Sequence, residues 1–401
     1  MSMKIKRLEI EGYKSLKHVV WEPGDLNVLI GPNGSGKSNL LGMLEVLSAS
    51  ARTSLEEFIR KESGLEVMLW DKRAESISAD LTVTASASDI PADNAVGAAG
   101  YKYKFELGFL GERRSPGIIR EHLSPTRTDG SKVEVPLLIQ REGDKYNYSR
   151  GDTSRPQSGT DVGDLASVLL RASHDSSADN RLRDLASWLG ELKVYQGFVM
   201  GHDSLVRQPT VTRYERSLSP NGWNLINFLH TMYTEYPDFK EEVDTTMRAA
   251  FGSDFHELIF TPAADQYIQM RIRWEHLQWP QPAGVLSDGI LRYLFMVAAL
   301  TSPDPPSILA IDEPEIGFHP AMFPIIAKLA ARASERTQVV LTTHSPEFLN
   351  AFEDVQPTIT VFEWHDGETE MRNLSDENLK YWLEKYKLGE LFRTGGLEAI
   401  D

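Results

Sequence analysis

The stretch GPNGSGKSNLL, residues 31–41, fits the pattern G-x-x-x-x-G-K-S/T through Gly31, Gly36, Lys37 and Ser38. The apolar run LNVLI (residues 26–30) precedes it and predicts a buried strand. Leucines at helical spacing follow it and predict a helix over about residues 37–48. A glycine-rich turn without a ligand is the alternative. A strand before and a helix after are the context that a phosphate-binding loop requires, so the sequence favours that loop.

Each residue type in the loop has a physical reason. Glycines let consecutive backbone N–H groups turn around a phosphate, and the positive end of the following helix adds to the attraction. Lys37 would place its charge on the β- and γ-phosphates of a nucleotide, and the Ser38 hydroxyl would ligate Mg²⁺. The predicted nucleotide-binding residues of the loop are Asn33, Gly34, Ser35, Gly36, Lys37, Ser38 and Asn39.

Two later segments place polar residues at the ends of apolar strands. SILAIDEPE (residues 307–315) ends its strand in Asp312 and Glu313, where an open α/β sheet binds ligands. Asp312 is suited to hold Mg²⁺, and Glu313 to orient or deprotonate an attacking water. QVVLTTHSPEFL (residues 338–349) ends its strand near His344, which could hydrogen-bond to a γ-phosphate. A simple turn at DEP and a structural histidine are the plainer alternatives.

A third segment, VLSDGILRYLFMVAAL (residues 285–300), predicts a helix capped by Ser287. The first N–H groups of such a helix favour an anion, which makes Ser287 and Gly289 candidate phosphate contacts. The alternative is a capped core helix without a ligand.

The bulk composition limits the classes of protein. The chain has 401 residues with 41% hydrophobic and 25% charged residues, which is typical of a soluble protein. Its net charge of -16 means that any contact with DNA must come from a local patch. The absence of cysteine fits a reducing cytoplasm. No signal peptide and no apolar run near the ~20 residues of a membrane span are present.

The pattern of elements predicts an α/β fold with a discontinuous core. Residues 1–75 and 253–401 form the core, residues 76–160 an antiparallel β region and residues 161–252 a helical insertion. Residues 150–160 are predicted to form a loop, 358–374 a hairpin-like pair of strands, and 376–392 a helix.

Taken together, these segments resemble the ATP-binding-cassette ATPases, with GPNGSGKS as phosphate loop, LSDGILR as signature, ILAIDEPE as Walker B strand and TTHS as switch histidine. The closer resemblance is to the RecF/SMC/OLD branch, in particular to small RecF-like ATPases of bacterial and phage-defence operons. This resemblance rests on the opening IKRLEIEGYKSLKHVVWEPGDLNVLIGPNGSGKSNLL and on the stretches DEPEIGFHP and LSPNGWNL.

The resemblance implies a P-loop NTPase of the ABC head type that binds ATP and Mg²⁺ and hydrolyses ATP. Lys37, Glu313 and His344 would be catalytic, and Ser38 and Asp312 would hold the metal. It also implies a head-to-tail homodimer, in which Ser287 and Gly289 meet the γ-phosphate bound to the second copy. Lys14 and Ser15 match positions near the nucleotide in SMC heads.

The resemblance also suggests a separately encoded nuclease or toxin as effector, with DNA as another partner. Only 57 residues follow His344, too few for the C-terminal TOPRIM nuclease of OLD proteins.

Two rival functions differ in their sequence features. The nucleotide-binding subunit of a membrane transporter would carry an early Q-loop and a sequence like EPTSGLD after the Walker B strand. This chain has EPEIGFHP there, and about 275 residues separate Lys37 from Asp312. A scaffold that only binds ATP would not need Glu313. The Q-loop glutamine is not assigned, and Gln140 has no support for that role.

Overall fold

The computed structural model of the chain describes residues 3–85, 100–126, 137–151, 156–160, 163–197, 201, 203–352, 354–374, 389 and 393. Its strands are β1 (Met3–Tyr13), β2 (Leu16–Trp21), β3 (Leu26–Ile30), β4 (Ser76–Ala85), β5 (Gly100–Leu110), β6 (Ser115–Thr126), β7 (Ile139–Glu142), β8 (Lys145–Tyr148), β9 (Gln157–Thr160), β10 (Lys193–Tyr195), β11 (Thr210–Val211), β12 (Phe255–Ala264), β13 (Tyr267–Trp274), β14 (Gln281–Pro282), β15 (Ile308–Ile311), β16 (Gln338–Thr343), β17 (Thr358–His365) and β18 (Glu368–Asn373). Its helices are α1 (Lys37–Ser50), α2 (Leu55–Lys61), α3 (Leu65–Met68), α4 (Val168–Ser173), α5 (Asn180–Glu191), α6 (Leu225–Glu235), α7 (Pro237–Phe251), α8 (Asp288–Thr301), α9 (Phe323–Ser334) and α10 (Pro346–Asn350).

The chain divides into two compact units. Unit 1 comprises Met1–Lys193 and Thr358–Leu374, and unit 2 comprises Val194–Pro357 and Ser375–Asp401. The predicted division into a discontinuous core and two inserted regions stays a prediction. The helix predicted over 376–392 lies outside the described residues, apart from Gly389.

Unit 1 contains an antiparallel sheet in the order β2-β1-β4-β5-β6-β7-β8-β9. Strands β4 to β8 confirm the antiparallel region expected from the alternating sequence. The loop predicted over 150–160 is wrong for its last residues, because β9 pairs with β8. The polar sequence of β9 gave no strand signal because this strand lies at the sheet edge with no buried residue.

A second set of strands in unit 1 surrounds the phosphate loop. β3 is buried throughout and pairs in parallel with β17, which forms the predicted hairpin with β18. α1 begins directly after the loop, and both its leucine face and several opposite residues are buried. The loop therefore joins two fully packed elements.

A buried carboxylate connects the antiparallel sheet of unit 1 to α4. Glu121 of β6 accepts hydrogen bonds from the backbone N–H groups of Val168 (2.7 Å) and Leu169 (2.9 Å) and from the Tyr103 hydroxyl (3.0 Å). Burial raises the pKa of Glu121 above its ordinary value of 4.5, although these hydrogen bonds oppose the shift.

Unit 2 contains the α/β alternation expected from the sequence. β15 and β16 are parallel and buried, and α8, α9 and α10 occupy the predicted helical segments around them. A separate antiparallel sheet has the order β11-β13-β12, with β14 also paired to β13. The helices expected within 161–252 are confirmed as α4 to α7, of which α6 and α7 lie in unit 2.

Candidate functional site

The phosphate loop of unit 1 has the backbone geometry that its glycines predict. Gly34 and Gly36 adopt φ angles of 82° and 106°, in the left-handed region that favours glycine. A Cβ on Gly36 would lie 2.2 Å from the Thr369 Oγ1, so no other residue fits there. Gly36 immediately precedes α1, whose N-terminus has no side-chain cap. The first turn of α1 is therefore directed at the loop, as an anion site requires.

Lys37 lies across this loop. Its Nζ donates to the carbonyl oxygens of Gly31 (2.7 Å) and Pro32 (3.0 Å), and the residue is buried. The Ser35 hydroxyl is also buried and has no hydrogen-bond partner among the described residues. A polyphosphate would accept hydrogen bonds from the Lys37 ammonium, the buried Ser35 hydroxyl and the first N–H groups of α1. The loop thus fits a nucleotide phosphate.

A network of hydroxyl and amide groups holds the loop from behind. The Ser15 Oγ accepts from the Asn39 Nδ2 (2.6 Å) and lies at hydrogen-bond distance (2.7 Å) from the Thr369 Oγ1. The Thr369 Oγ1 also lies 2.9 Å from the Ser35 carbonyl oxygen, and the Thr369 N–H donates to the Ser15 carbonyl at 2.9 Å. The structure thus brings Ser15 and Asn39 to the loop. Thr369 of β18 was not predicted, since it lies far along the chain in a polar strand without a motif.

Lys14 stands next to Ser15, but its side chain is directed elsewhere. Its Nζ pairs with the Glu62 Oε2 at 2.7 Å, just after the end of α2. Its backbone has a φ of 48°, and its N–H donates to the Met68 carbonyl at 2.8 Å. Its predicted proximity to a nucleotide stays a prediction.

Unit 2 brings three of the predicted residues together at the ends of β15 and β16. The Glu313 Oε1 and the His344 Nδ1 are 2.8 Å apart, and both side chains are partly exposed. The Thr342 hydroxyl donates to the Asp312 Oδ1 and accepts from the Glu313 N–H at 2.9 Å. Asp312, Glu313 and His344 therefore form one cluster, which is anchored by Thr342. The sequence did not single out Thr342, because it reads as one more residue of a buried strand.

A second carboxyl group lies beneath this cluster. Glu315 is buried, and its Oε1 accepts a hydrogen bond from the Thr343 hydroxyl, whereas its Oε2 has no partner among the described residues. Burial raises the pKa of Glu315, against the effect of the Thr343 hydrogen bond.

The signature segment of unit 2 forms the predicted capped helix. The Ser287 Oγ accepts from the Ile290 N–H at 3.3 Å, and α8 begins at Asp288. Ser287 is exposed, and Gly289 is partly exposed. A Cβ on Gly289 would lie 3.5 Å from the Gly317 carbonyl oxygen, so the segment after β15 approaches the signature closely.

Each unit supplies one predicted metal ligand with an oxygen donor, Ser38 in unit 1 and Asp312 in unit 2. Carboxylate and hydroxyl oxygens are the ligands that the hard cation Mg²⁺ prefers. The Asp312 carboxylate is fixed by Thr342, and Ser38 lies in the first turn of α1. Their role as metal ligands stays a prediction.

The fold is that of a P-loop NTPase of the ABC head type, and the chain is similar to ATPases of the RecF/SMC/OLD branch. More narrowly, the chain belongs to the family described as "AAA domain, putative AbiEii toxin, Type IV TA system", whose model matches residues 26–350. Such P-loop ATPases bind a nucleotide and usually Mg²⁺.

Individual relatives agree with this assignment. The OLD nuclease of Thermus scotoductus is 21% identical over 417 residues, covering 99% of this chain and 70% of the relative. The structure is similar to an Smc head bound to the C-winged helix domain of ScpA, with a TM-score of 0.55, 15% identity and coverage of 94% of this chain and 99% of that one. It is also similar to an Smc head with an extended coiled coil, bound to the C-terminal domain of ScpA derived from Pyrococcus furiosus, with a TM-score of 0.56, 12% identity and coverage of 96% and 99%. The structural similarity confirms the predicted fold class.

Among the described residues, no helix has the length and apolarity required to cross a membrane.

Proposed function

We propose that this chain binds ATP and hydrolyses it to ADP and phosphate. The observation that carries the proposal is the cluster of Asp312, Glu313 and His344, with Glu313 and His344 in direct contact. A protein that only bound ATP would need neither the Glu313 carboxylate nor its histidine partner. Membership in an ATPase family supports the same conclusion.

One group of the predicted site residues would bind the phosphates, and another would activate the attacking water. Lys37 and the first N–H groups of α1 bind the phosphates, with Ser35 and Ser38 as neighbouring hydroxyl groups. Magnesium, when bound to Ser38 and Asp312, would neutralise charge on the phosphate oxygens. Glu313 orients a water and accepts its proton, and His344 holds the Glu313 carboxylate in position.

We further propose that ATP joins two copies of the chain. The support is the exposed N-terminus of α8, where Ser287 and Gly289 could receive the γ-phosphate bound to a second copy. ATP would then stabilise the pair, and hydrolysis would weaken it. The SMC-head fold is compatible with such a dimer.

Glu313→Gln tests the proposal directly. We expect phosphate release to fall at least about 100-fold, because the amide cannot accept the proton. ATP binding should persist, and light scattering should show an ATP-dependent dimer with a longer lifetime than in the wild type. Glu335→Gln, an exposed glutamate at the end of α9, is the matched control and should behave as wild type.

Two outcomes would contradict this assignment. Undiminished phosphate release by the Glu313→Gln variant would remove Glu313 from catalysis. Lys37→Ala should abolish ATP binding, and ATP binding retained at micromolar concentration would contradict the role of the loop.

We also propose that the nucleotide cycle switches a separately encoded nuclease or toxin in phage defence. The support is the family description, which names a toxin of a toxin–antitoxin system, and the nuclease among the relatives. DNA is the alternative partner. The relatives give more support to this class than to a transporter subunit. Purification of the Glu313→Gln protein from its host with ATP should retain the effector, and a membrane permease retained instead would favour the transporter.

A further inference from the structure

The signature helix carries a negative charge next to its proposed phosphate contacts. Asp288 is the first residue of α8, between Ser287 and Gly289, and its side chain is 58% exposed. A carboxylate stabilises the N-terminus of its own helix. The same carboxylate would repel the triphosphate that this N-terminus is proposed to receive. An uncompensated Asp288 would therefore oppose the dimer.

Arg207 provides the compensating charge. Its Nη2 binds the Asp288 Oδ1, and its Nη1 donates to the Leu286 carbonyl oxygen at 2.6 Å. The same Nη1 lies 3.4 Å from the carbonyl oxygens of Ala283 and Gly284. The Arg207 side chain is only 7% exposed, although it pairs with a largely exposed carboxylate. The guanidinium is thus fixed to the backbone of the loop before α8 and to Asp288 at once.

The planar guanidinium explains why arginine is suited to this place. It offers several N–H groups in a fixed fork, so one residue can hold a backbone turn and a carboxylate together. Arg207 comes at the end of a short 3-10 turn (Leu205–Arg207), about 80 residues before the signature in the sequence. No local pattern in the signature segment indicates this contact.

We infer that Arg207 is a positioning residue for the signature helix. It neutralises Asp288 and holds residues 283–288, so that the N-terminus of α8 presents a net attraction to the γ-phosphate of a second copy. This inference rests on the ATP-dependent dimer proposed above. Arg207, which belongs to none of the sequence motifs described above, would then control the dissociation constant of that dimer.

The experiment measures the dimer dissociation constant of the full chain by sedimentation velocity, with Mg²⁺ and the slowly hydrolysed analogue AMP-PNP. Arg207→Met should raise that constant about tenfold or more. Binding of the analogue to the monomer, titrated at low protein concentration, should change less than about twofold. Adding Asp288→Asn to Arg207→Met should restore most of the dimerisation, because the unpaired charge is gone. A purely structural role for Arg207 would give no such recovery.

A second variant covers a failure of Arg207→Met to fold. Arg207→Lys keeps the positive charge but loses the guanidinium fork, so its dimer dissociation constant should lie between those of the wild type and of Arg207→Met. Three outcomes would overturn the inference and leave the ATPase proposal unaffected. The first is an unchanged dimer dissociation constant in Arg207→Met, and the second is a folded Arg207→Lys protein that no longer dimerises. The third is no recovery of dimerisation when Asp288→Asn is added to Arg207→Met. A wild-type protein that binds the analogue and stays monomeric would overturn the proposed dimer and, with it, this inference.

Discussion

Replacing Thr369 by valine tests whether a residue of β18 sets the affinity of the phosphate loop. Valine has nearly the same shape but lacks the hydroxyl that contacts the Ser15 Oγ at 2.7 Å and the Ser35 carbonyl at 2.9 Å. The loop would lose one neutral hydrogen bond of about 1 kcal/mol, and a buried carbonyl would lose a donor at a cost of about 1–3 kcal/mol.

Part of this loss lowers the free energy of unfolding. We therefore expect the free energy of ATP binding to weaken by about 1–2 kcal/mol. The dissociation constant for ATP should then rise about five- to thirtyfold. Calorimetric titration measures it, with Lys37→Ala as the non-binding reference. Thr369→Ser keeps the hydroxyl and should bind ATP within about twofold of wild type. A Thr369→Val protein with wild-type affinity would refute the view that β18 positions the loop.

Three further predictions follow from particular contacts. Thr342→Val removes the hydroxyl that donates to the Asp312 carboxylate, so kcat for phosphate release should fall about tenfold or more. The affinity for ATP, measured by titration, should change less than about threefold. Gly36→Ala should abolish ATP binding in the same titration, whereas Gly143→Ala, which has φ 58° and no atom within 4 Å of a new Cβ, should bind normally. Because the folded-state pKa of Glu121 is raised, the contribution of this residue to stability falls as the pH rises above 4.5. The melting-temperature advantage of wild type over Glu121→Gln should therefore shrink from about pH 5 to about pH 8, and a constant or growing difference would contradict the shift.

The sequence predicted the parts of the site that local patterns encode. The loop from Gly31 to Ser38 has fixed spacing, and Asp312 and His344 end apolar strands that predict their positions in a sheet. These patterns were sufficient for the ATPase class and for most of the helices and strands.

The supporting residues could not be predicted, because their partners are distant in sequence. Thr369 and Arg207 act through hydrogen bonds to segments hundreds or tens of residues away, and neither belongs to a periodic or spaced motif. β9 was missed for a related reason: an exposed edge strand needs only backbone pairing, which polar residues provide as well as apolar ones.

The contact between Thr369 and Ser35 spans 334 positions of the chain. During synthesis on the ribosome, the glycine-rich turn therefore emerges long before the hairpin that supports it. Nascent chains ending before that hairpin should bind nucleotide more weakly than longer ones, so the phosphate loop would gain its full support only after β18 has been synthesised.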